Sequence, residues 1–380
     1  MPIMDQGYQH WAGQLAGHRW RWLAVARQGI RVSMRMQYVR YVLFAAWAPA
    51  LTLSCLLAMW GLLERKSSLV STFVSFMAFM NPGVVAAPLH YRVDVWRLAY
   101  GYFMHVELYF SMVVILLIGP NLISQDLRVN ALPLYFSRPL RRSDYFVGKL
   151  GVIVFFLAMV MIAPAIVAYI LGLLFSLDIT IIPQTIGILL AAIVYGAVIA
   201  LCAGTLMLAL SALTRNSRYV ALLWLGVWFI GGIGSGVLEH VHQHQLRFDA
   251  RQWMVKHKEQ VLQFRHRFGD SDRPPDDQNG WQLYRQRYEA LRLADATRDW
   301  RPLASYTGDL ARIGQQLLQT NEAWRSIGKL LPPGPHRQRL LARYLGPRYP
   351  WYWAAGVLAC VLGICLWILH RSIRAMDRLK

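Results

Sequence analysis

The sequence predicts an all-α integral membrane protein, with six transmembrane helices, an N-terminal interfacial helix, and a helical extracytoplasmic insertion between helices 5 and 6. Three observations lead to that fold class. The chain of 380 residues is 56% apolar and only 16% charged, where ordinary globular domains hold about 25% charged residues. It contains six charge-free runs, each long enough to cross hydrocarbon, which takes about 20 apolar residues. Its Lys and Arg residues flank those runs so that the short basic loops fall on one side.

Ahead of the first run, Leu23, Ala26, Ile30 and Met34 recur at spacings of three and four, with Arg27, Arg31 and Arg35 as a second stripe beside them. Like charges one helical turn apart repel in an isolated helix. That cost is offset when the Arg stripe meets lipid phosphates and the apolar stripe dips into the acyl boundary. Residues 1–40 therefore read as a cytoplasmic arm carrying an interfacial helix, and Trp11, Trp20 and Trp22 suit the same interface.

The six spans are Tyr41–Leu63, Leu108–Gln125, Leu150–Leu177, Ile179–Thr214, Tyr219–Leu238 and Tyr349–Leu369. Pro164 predicts a kink in the third, and Pro183 the start of the fourth. Ser67–Tyr91 is also uncharged, but Asn81-Pro82-Gly83 and Pro88 break it, so a re-entrant or interfacial hairpin is expected there. Residues 41–238 thus hold helices 1–5, residues 239–350 the extracytoplasmic helical region, and residues 351–380 helix 6 with a basic tail. All four short basic groups, around Arg27, Arg138, Arg215 and Arg374, then lie inside, with both termini. The region 239–350 is also basic, but long loops translocate largely regardless of charge.

The net charge of +20 raises the question of nucleic acid. The basic residues sit beside membrane-length apolar runs, where anionic lipid is the natural partner, so a lipid bilayer and no nucleic acid is expected. Cys55, Cys202, Cys360 and Cys365 all fall within apolar runs, which offers no disulfide framework. The first apolar run begins near Tyr41, too deep for a cleavable leader.

The polar insert between the second and third spans is the most informative stretch. Ile123, Leu127, Ala131 and Leu134 keep helical spacing. Ser137-Arg138-Pro139 ends that helix, because a residue before proline is pushed out of the α region. Ser143 then reads as the cap of the next helix, with Asp144 in its first turn. The string of Asp126, then Leu134-Tyr135-Phe136-Ser137-Arg138-Pro139-Leu140-Arg141-Arg142-Ser143-Asp144-Tyr145, then Gly148-Lys149 resembles the ABC-2 family of ABC-transporter permeases. The six-helix subunits of that family carry an acidic residue, a Ser/Thr-Arg-Pro-hydrophobic-basic turn, and a Gly-Lys just inside the third helix.

The resemblance implies a membrane permease subunit, an exporter powered by a separate cytoplasmic ATP-binding subunit, in a bacterial cytoplasmic membrane. It makes Ile123–Arg142, within the inner segment 123–145, the coupling helix region. Asp126, Arg128, Ser137, Arg138, Pro139, Arg141, Arg142, Asp144, Gly148 and Lys149 become the ATPase-coupling residues. It also implies a homodimer or a heterodimer with a second permease. No cofactor is expected in this chain, since ATP and Mg would be bound by the partner.

Other chemistry is thinly represented. Gly148-Lys149 and Gly328-Lys329 are each followed by Leu and lack the glycine-rich lead of a phosphate-binding loop. HExxH and GxSxG are absent from the sequence, so no enzyme is expected. His240, His242 and His244 are weak metal candidates, because His240 and His244 would share a helical face without a third ligand. Glu107, at the outer mouth of the second span, is a candidate pathway residue, since carboxylates in spans are functional by default. The competing reading is an ABC-coupled mechanotransmission subunit that acts on an envelope partner without moving cargo.

Overall fold

The computed structural model describes residues 20–65, 71–80, 85, 87–131, 141–176, 178, 180–256, 278–328, 337, 341, 345 and 348–376. Among these, every regular element is helical. Six helices are long and apolar enough to cross a membrane: Gln37–Glu64, Pro88–Arg128, Arg142–Ser176, Ile181–Leu213, Ser217–Lys256 and Trp351–Ser372. The protein is an all-α integral membrane protein.

In chain order, α1 (Arg21–Met34) precedes a first span built from α2 (Gln37–Ala45) and α3 (Ala48–Glu64), and a short helix α4 (Ser71–Met80) follows. The second span comprises α5 (Pro88–Ile118) and α6 (Pro120–Arg128), and the third α7 (Arg142–Leu157) and α8 (Ala163–Ser176). The fourth is α9 (Ile181–Leu213), and the fifth joins α10 (Ser217–Leu225) to α11 (Gly231–Lys256). Beyond it come α12 (Gln278–Ala296), α13 (Tyr306–Leu317), α14 (Thr320–Gly328) and the last span, α15 (Trp351–Met376).

Helix α9 is the hub, packing against α5, α6, α7, α13 and α15. Its small residues explain why. Without a hydrophobic drive between helices in lipid, close backbone approach through Gly and Ala is what binds them. A Cβ on Gly204 would lie 2.8 Å from Leu150 Cδ1, and one on Gly196 would lie 3.3 Å from Ile162 Cγ1. The interior face of α5 carries Trp96, Tyr100, Phe103, Met104 and Leu108, all nearly inaccessible. Tyr100 donates to the Ala165 carbonyl at 2.9 Å, and Trp224 Nε1 donates to the Met112 carbonyl at 3.1 Å. Both polar tips are thereby satisfied within the apolar core.

Several expectations change. The helix that carries the second span begins at Pro88, twenty residues before the charge-free run, and its charged first turns are paired with neighbouring helices. Arg92, 3% exposed at its side chain, reaches Glu64 at 2.7 Å and Asp178 at 3.0 Å, clamping α3, α5 and the α8–α9 turn together. Trp60 Nε1 also donates to Glu64 at 2.9 Å. Pro164, where the sequence predicts a kink, follows closely on an irregular turn within the third span. A π-helical turn over Ala158–Ile162 takes up the lost hydrogen bond and the ring's bulk. Of the segment read as a hairpin, Ser71–Met80 forms α4, whose Val74 packs with Tyr91 and Val95 onto Trp60 and Leu63; Asn81-Pro82-Gly83 lies outside the described residues. The fifth span continues as one helix to Lys256, well past Leu238.

Helix α1 packs along α7. Its protein-facing residues are Trp22, Val25, Ala26, Gly29, Ile30 and Ser33, so only Ala26 and Ile30 of the predicted apolar stripe face the protein. Leu23 and Met34 stay exposed, on the side that lipid would cover. The segment between the fifth and sixth spans packs onto the bundle. Helix α13 packs against α5, α9 and α15, and Leu310, Ile313 and Leu317 belong to the same apolar cluster as the spans.

Candidate functional site

The basic end of the bundle, where α6 turns back into α7, gathers most of the residues that the sequence singled out. Asp126 and Lys149 lie 23 positions apart and meet at 2.7 Å, with side chains 14% and 12% exposed. Tyr145 donates its hydroxyl to the same Asp126 oxygen at 2.7 Å, and Lys149 Nζ stands 5.4 Å from the centre of the Tyr145 ring. One carboxylate thus ties the end of α6 to the first two turns of α7. Charge-assisted hydrogen bonds of this kind are about twice as strong as neutral ones.

The local sequence builds the joint. Helix α6 ends at Arg128 rather than running on to Leu134, because Asn130 adopts a left-handed conformation (φ 51°). The Ala131 N–H then reaches the Asp126 carbonyl at 2.9 Å, and the Asn130 N–H reaches the Leu127 carbonyl at 3.4 Å. This is a Schellman ending, with asparagine where glycine is commonest. Helix α7 is not capped by Ser143. Its cap position is Arg141, whose backbone N–H donates back to Asp144 at 3.3 Å. Asp144 thus relieves one donor and faces the positive end of the helix dipole.

Three hydroxyls fasten α6 to its neighbours. The Ser211 Oγ accepts from the backbone N–H groups of Ile123 and Ser124 at 3.1 and 3.0 Å. It also donates to the Pro120 carbonyl at 3.1 Å. Ser124 Oγ bonds Pro120 O, and it pairs with Ser217 Oγ at 2.9 Å. On the far side of α7, a Cβ at Gly148 would lie 2.7 Å from Val25 Cβ and 2.8 Å from the Trp22 carbonyl. Gly148 is the seat of α1.

The predicted coupling residues therefore divide. Asp126 and Lys149 tie α6 to α7, Asp144 caps α7 and Gly148 seats α1, while Arg128, Arg141 and Arg142 are exposed on the surface. Ser137, Arg138 and Pro139 lie outside the described residues. Sequence reasoning missed Tyr145 as a partner of Asp126, and it missed Ser124, Ser211 and Ser217 entirely. A serine facing a serine across helices leaves no mark in periodicity.

Glu107 does not reach toward headgroups. It is fully buried, as is Ser111 one turn on, and neither side chain has a hydrogen-bond partner among the described residues. His240 and His244 stack edge to face at 4.7 Å, while His242 turns away to pair with Asp295 of α12. No group of three or more metal-ligating side chains forms among the described residues.

Comparison with known protein families matches residues 37–269 to the ABC-2 family transporter proteins. The match covers more than half of the chain and includes the whole joint. No individual curated protein matches alongside it. The chain belongs to the ABC-2 transporter family, as a membrane-embedded permease component whose working partner is an ATP-binding subunit.

Proposed function

We propose that this chain is the permease half of an exporter, with its basic end in the cytoplasm and the α6–α7 joint receiving the stroke of the ATP-binding subunit. The Asp126–Lys149–Tyr145 lock is the observation that supports this most directly. It makes the end of one span and the start of the next a single stiff piece. The serine contacts extend that piece to α9 and α10, and Gly148 extends it to α1. A push on the exposed Arg128, Arg141 and Arg142 surface would therefore move several spans at once. Orientation rests on the basic groups of the short loops. Two permease chains, identical or sisters, would complete the transporter. The lipid-facing side of the fifth span supports such pairing: only 17% of its apolar window is buried within the chain, against 61% for the second span. Glu107, a buried carboxyl inside a span, is the proposed pathway residue.

Cysteines placed at Val129 and Arg141 in a chain freed of its own four test the orientation and the docking together. An impermeant maleimide should label them in inverted vesicles and not in intact cells, and bound ATPase should protect them. Labelling from outside intact cells would end the reading.

The mechanotransmission reading has one observation in its favour. The fifth span is a continuous 40-residue helix, roughly 60 Å long, about twice the hydrocarbon thickness. His242–Asp295 fixes α12 against its far part. ATP hydrolysis that responds to an envelope protein, and to no solute or lipid, would favour it over export.

A further inference from the structure

A cavity of about 300 Å³ lies between α5, α9, α13 and α14, at the end of the bundle away from the joint. Aromatic rings of Tyr102, Tyr195 and Trp324 form much of its wall, with the amides of Gln315 and Asn321 and the guanidinium of Arg348 among its polar groups. Arg348 Nη1 donates to Gln315 Oε1 at 3.0 Å, which holds the amide in place. No Asp or Glu is among the described residues that line it. The acids of α13 and α14 are directed elsewhere: Glu322 toward Arg97 at 3.5 Å, and Asp309 toward the Tyr349 hydroxyl at 3.5 Å.

Two glycines bring the walls together. A Cβ on Gly314 would lie 2.5 Å from the Tyr195 ring, and one on Gly101 would lie 2.5 Å from Thr320 Cγ2. The level in the membrane follows from helix geometry. Ser124, bonded to Ser217 at the basic end, is separated from Tyr102 by roughly 33 Å of helix at 1.5 Å per residue. That is about one hydrocarbon thickness, so Tyr102 stands at the opposite interface, where tyrosine and tryptophan concentrate. Tyr102 is 70% exposed while also lining the cavity, so one wall of the cavity is part of the outer surface at that level. The volume is at the small end of ligand sites and suits a headgroup with its tail left outside.

We propose that this cavity binds the anionic headgroup of an amphiphile that enters sideways from the bilayer. Arg348 supplies the charge, the two amides supply donors, and the three rings flank the start of the tail. The site goes beyond the coupling reading and does not depend on it.

The test uses the full chain with its ATP-binding subunit in nanodiscs of phosphatidylcholine, doped with brominated phosphatidylglycerol or brominated phosphatidylcholine. Trp324 emission is isolated as the difference between wild type and Trp324→Phe. Stronger quenching by the brominated phosphatidylglycerol is expected. Arg348→Gln should weaken that preference roughly ten-fold, as loss of a charge-assisted contact does. Ala311→Phe, which fills the cavity and leaves Arg348 in place, should abolish it. Equal quenching by the two lipids overturns the proposal, and so does a preference that survives Ala311→Phe. Displacement of the lipid signal by soluble glycerol phosphate at equal concentration would also overturn it, by showing a site for free anions. If Arg348→Gln does not assemble, the Ala311→Phe result decides. No ATP turnover is read, so failure of the coupling reading would leave this result standing.

Discussion

Replacing Lys149 with Met and Asp126 with Asn, singly and together, tests whether the α6–α7 joint is a unit. The two groups meet at 2.7 Å with side chains only 12% and 14% exposed. At that separation the gross Coulomb attraction is about 6 kcal/mol for an effective dielectric near 20. Desolvation of both ions removes much of it, which leaves a net coupling of about 1.5–3 kcal/mol for a hydrogen bond between charged groups. Lys149→Met leaves Asp126 with the Tyr145 hydroxyl as its side-chain partner among the described residues, and Asp126→Asn leaves the ammonium without its anion. Each single change should therefore cost more than its share, and the double change should cost less than the sum. The assay is equilibrium unfolding of the purified chain in mixed detergent, with α1–α7 proximity followed by a fluorophore pair. Additivity within about 0.5 kcal/mol would mean that the two side chains are neighbours without being coupled, and the stiff-joint account would fail. The same geometry makes Asp126→Arg destabilising as well as disruptive to partner binding, since it places a second cation against Lys149.

At the opposite end, Arg92→Met should destabilise the bundle by about 3–5 kcal/mol, the cost of leaving a buried partner charge alone. Arg92→Met with Glu64→Gln should recover part of it in the same unfolding assay; a loss no larger than that of an exposed pair, under about 1 kcal/mol, would show that water reaches the clamp. Gly148→Val should detach α1, because its Cβ meets the Trp22 carbonyl at 2.8 Å and backbone cannot yield as a side chain does; faster trypsin cleavage after Arg27 and Arg31 would report it, and unchanged cleavage would refute it. Burial pushes the Asp309 carboxyl up to about 7, partly opposed by the Tyr349 hydroxyl. The fold therefore favours the protonated acid: its stabilising effect is complete below about pH 4 and is lost as pH rises through 7. Wild type should lose thermal stability between pH 5 and 8 relative to Asp309→Asn, and parallel curves would contradict the burial of that side chain.

The fourth span and the C-terminal end of the third were legible in the sequence almost to the residue, because charge-free runs of that length have one solution in lipid. The second was legible over Leu108–Gln125 but not in its extension back to Pro88, and the reason lies in Arg92, Asp94, Arg97 and Glu107. Hydropathy counts each as an interruption, yet Arg92 is neutralised by Glu64 and Asp178, Arg97 faces Asp94 and Glu322, and Glu107 turns inward. Pairing across helices is a tertiary fact that a linear pattern does not carry. The candidate site shows the same split. Asp126 and the Gly148-Lys149 pair were visible as motif letters, whereas their meeting depends on where the intervening turn folds back. Helix α13 was legible as a helix and not as part of the bundle. Its Asp309 and Arg312 give it a soluble character, but Asp309 is fully buried and Arg312 donates to the Tyr349 carbonyl at 3.1 Å.

The placement of α13 bears on how a push at the basic end could be felt at the other. The family match stops at residue 269, yet α13 and α15 pack on α9, the helix that Ser211 fastens to α6. Along α9 the contacts change in order: Ser211 holds α6, Gly204 meets α7, Gly196 meets the π turn, and Tyr195 meets Gly314 of α13. Small residues at successive contacts let the backbones approach closely, so α9 sits tightly against each neighbour in turn. A movement of the joint that carries α9 with it would therefore reach α13, and with it the wall of the aromatic cavity formed by Tyr195 and Trp324. The segment beyond the family match is thus packed onto the same helix that holds the joint inside it. Gly314→Leu, which would wedge α13 away from Tyr195, should separate events at the two ends while leaving the Asp126–Lys149 lock intact.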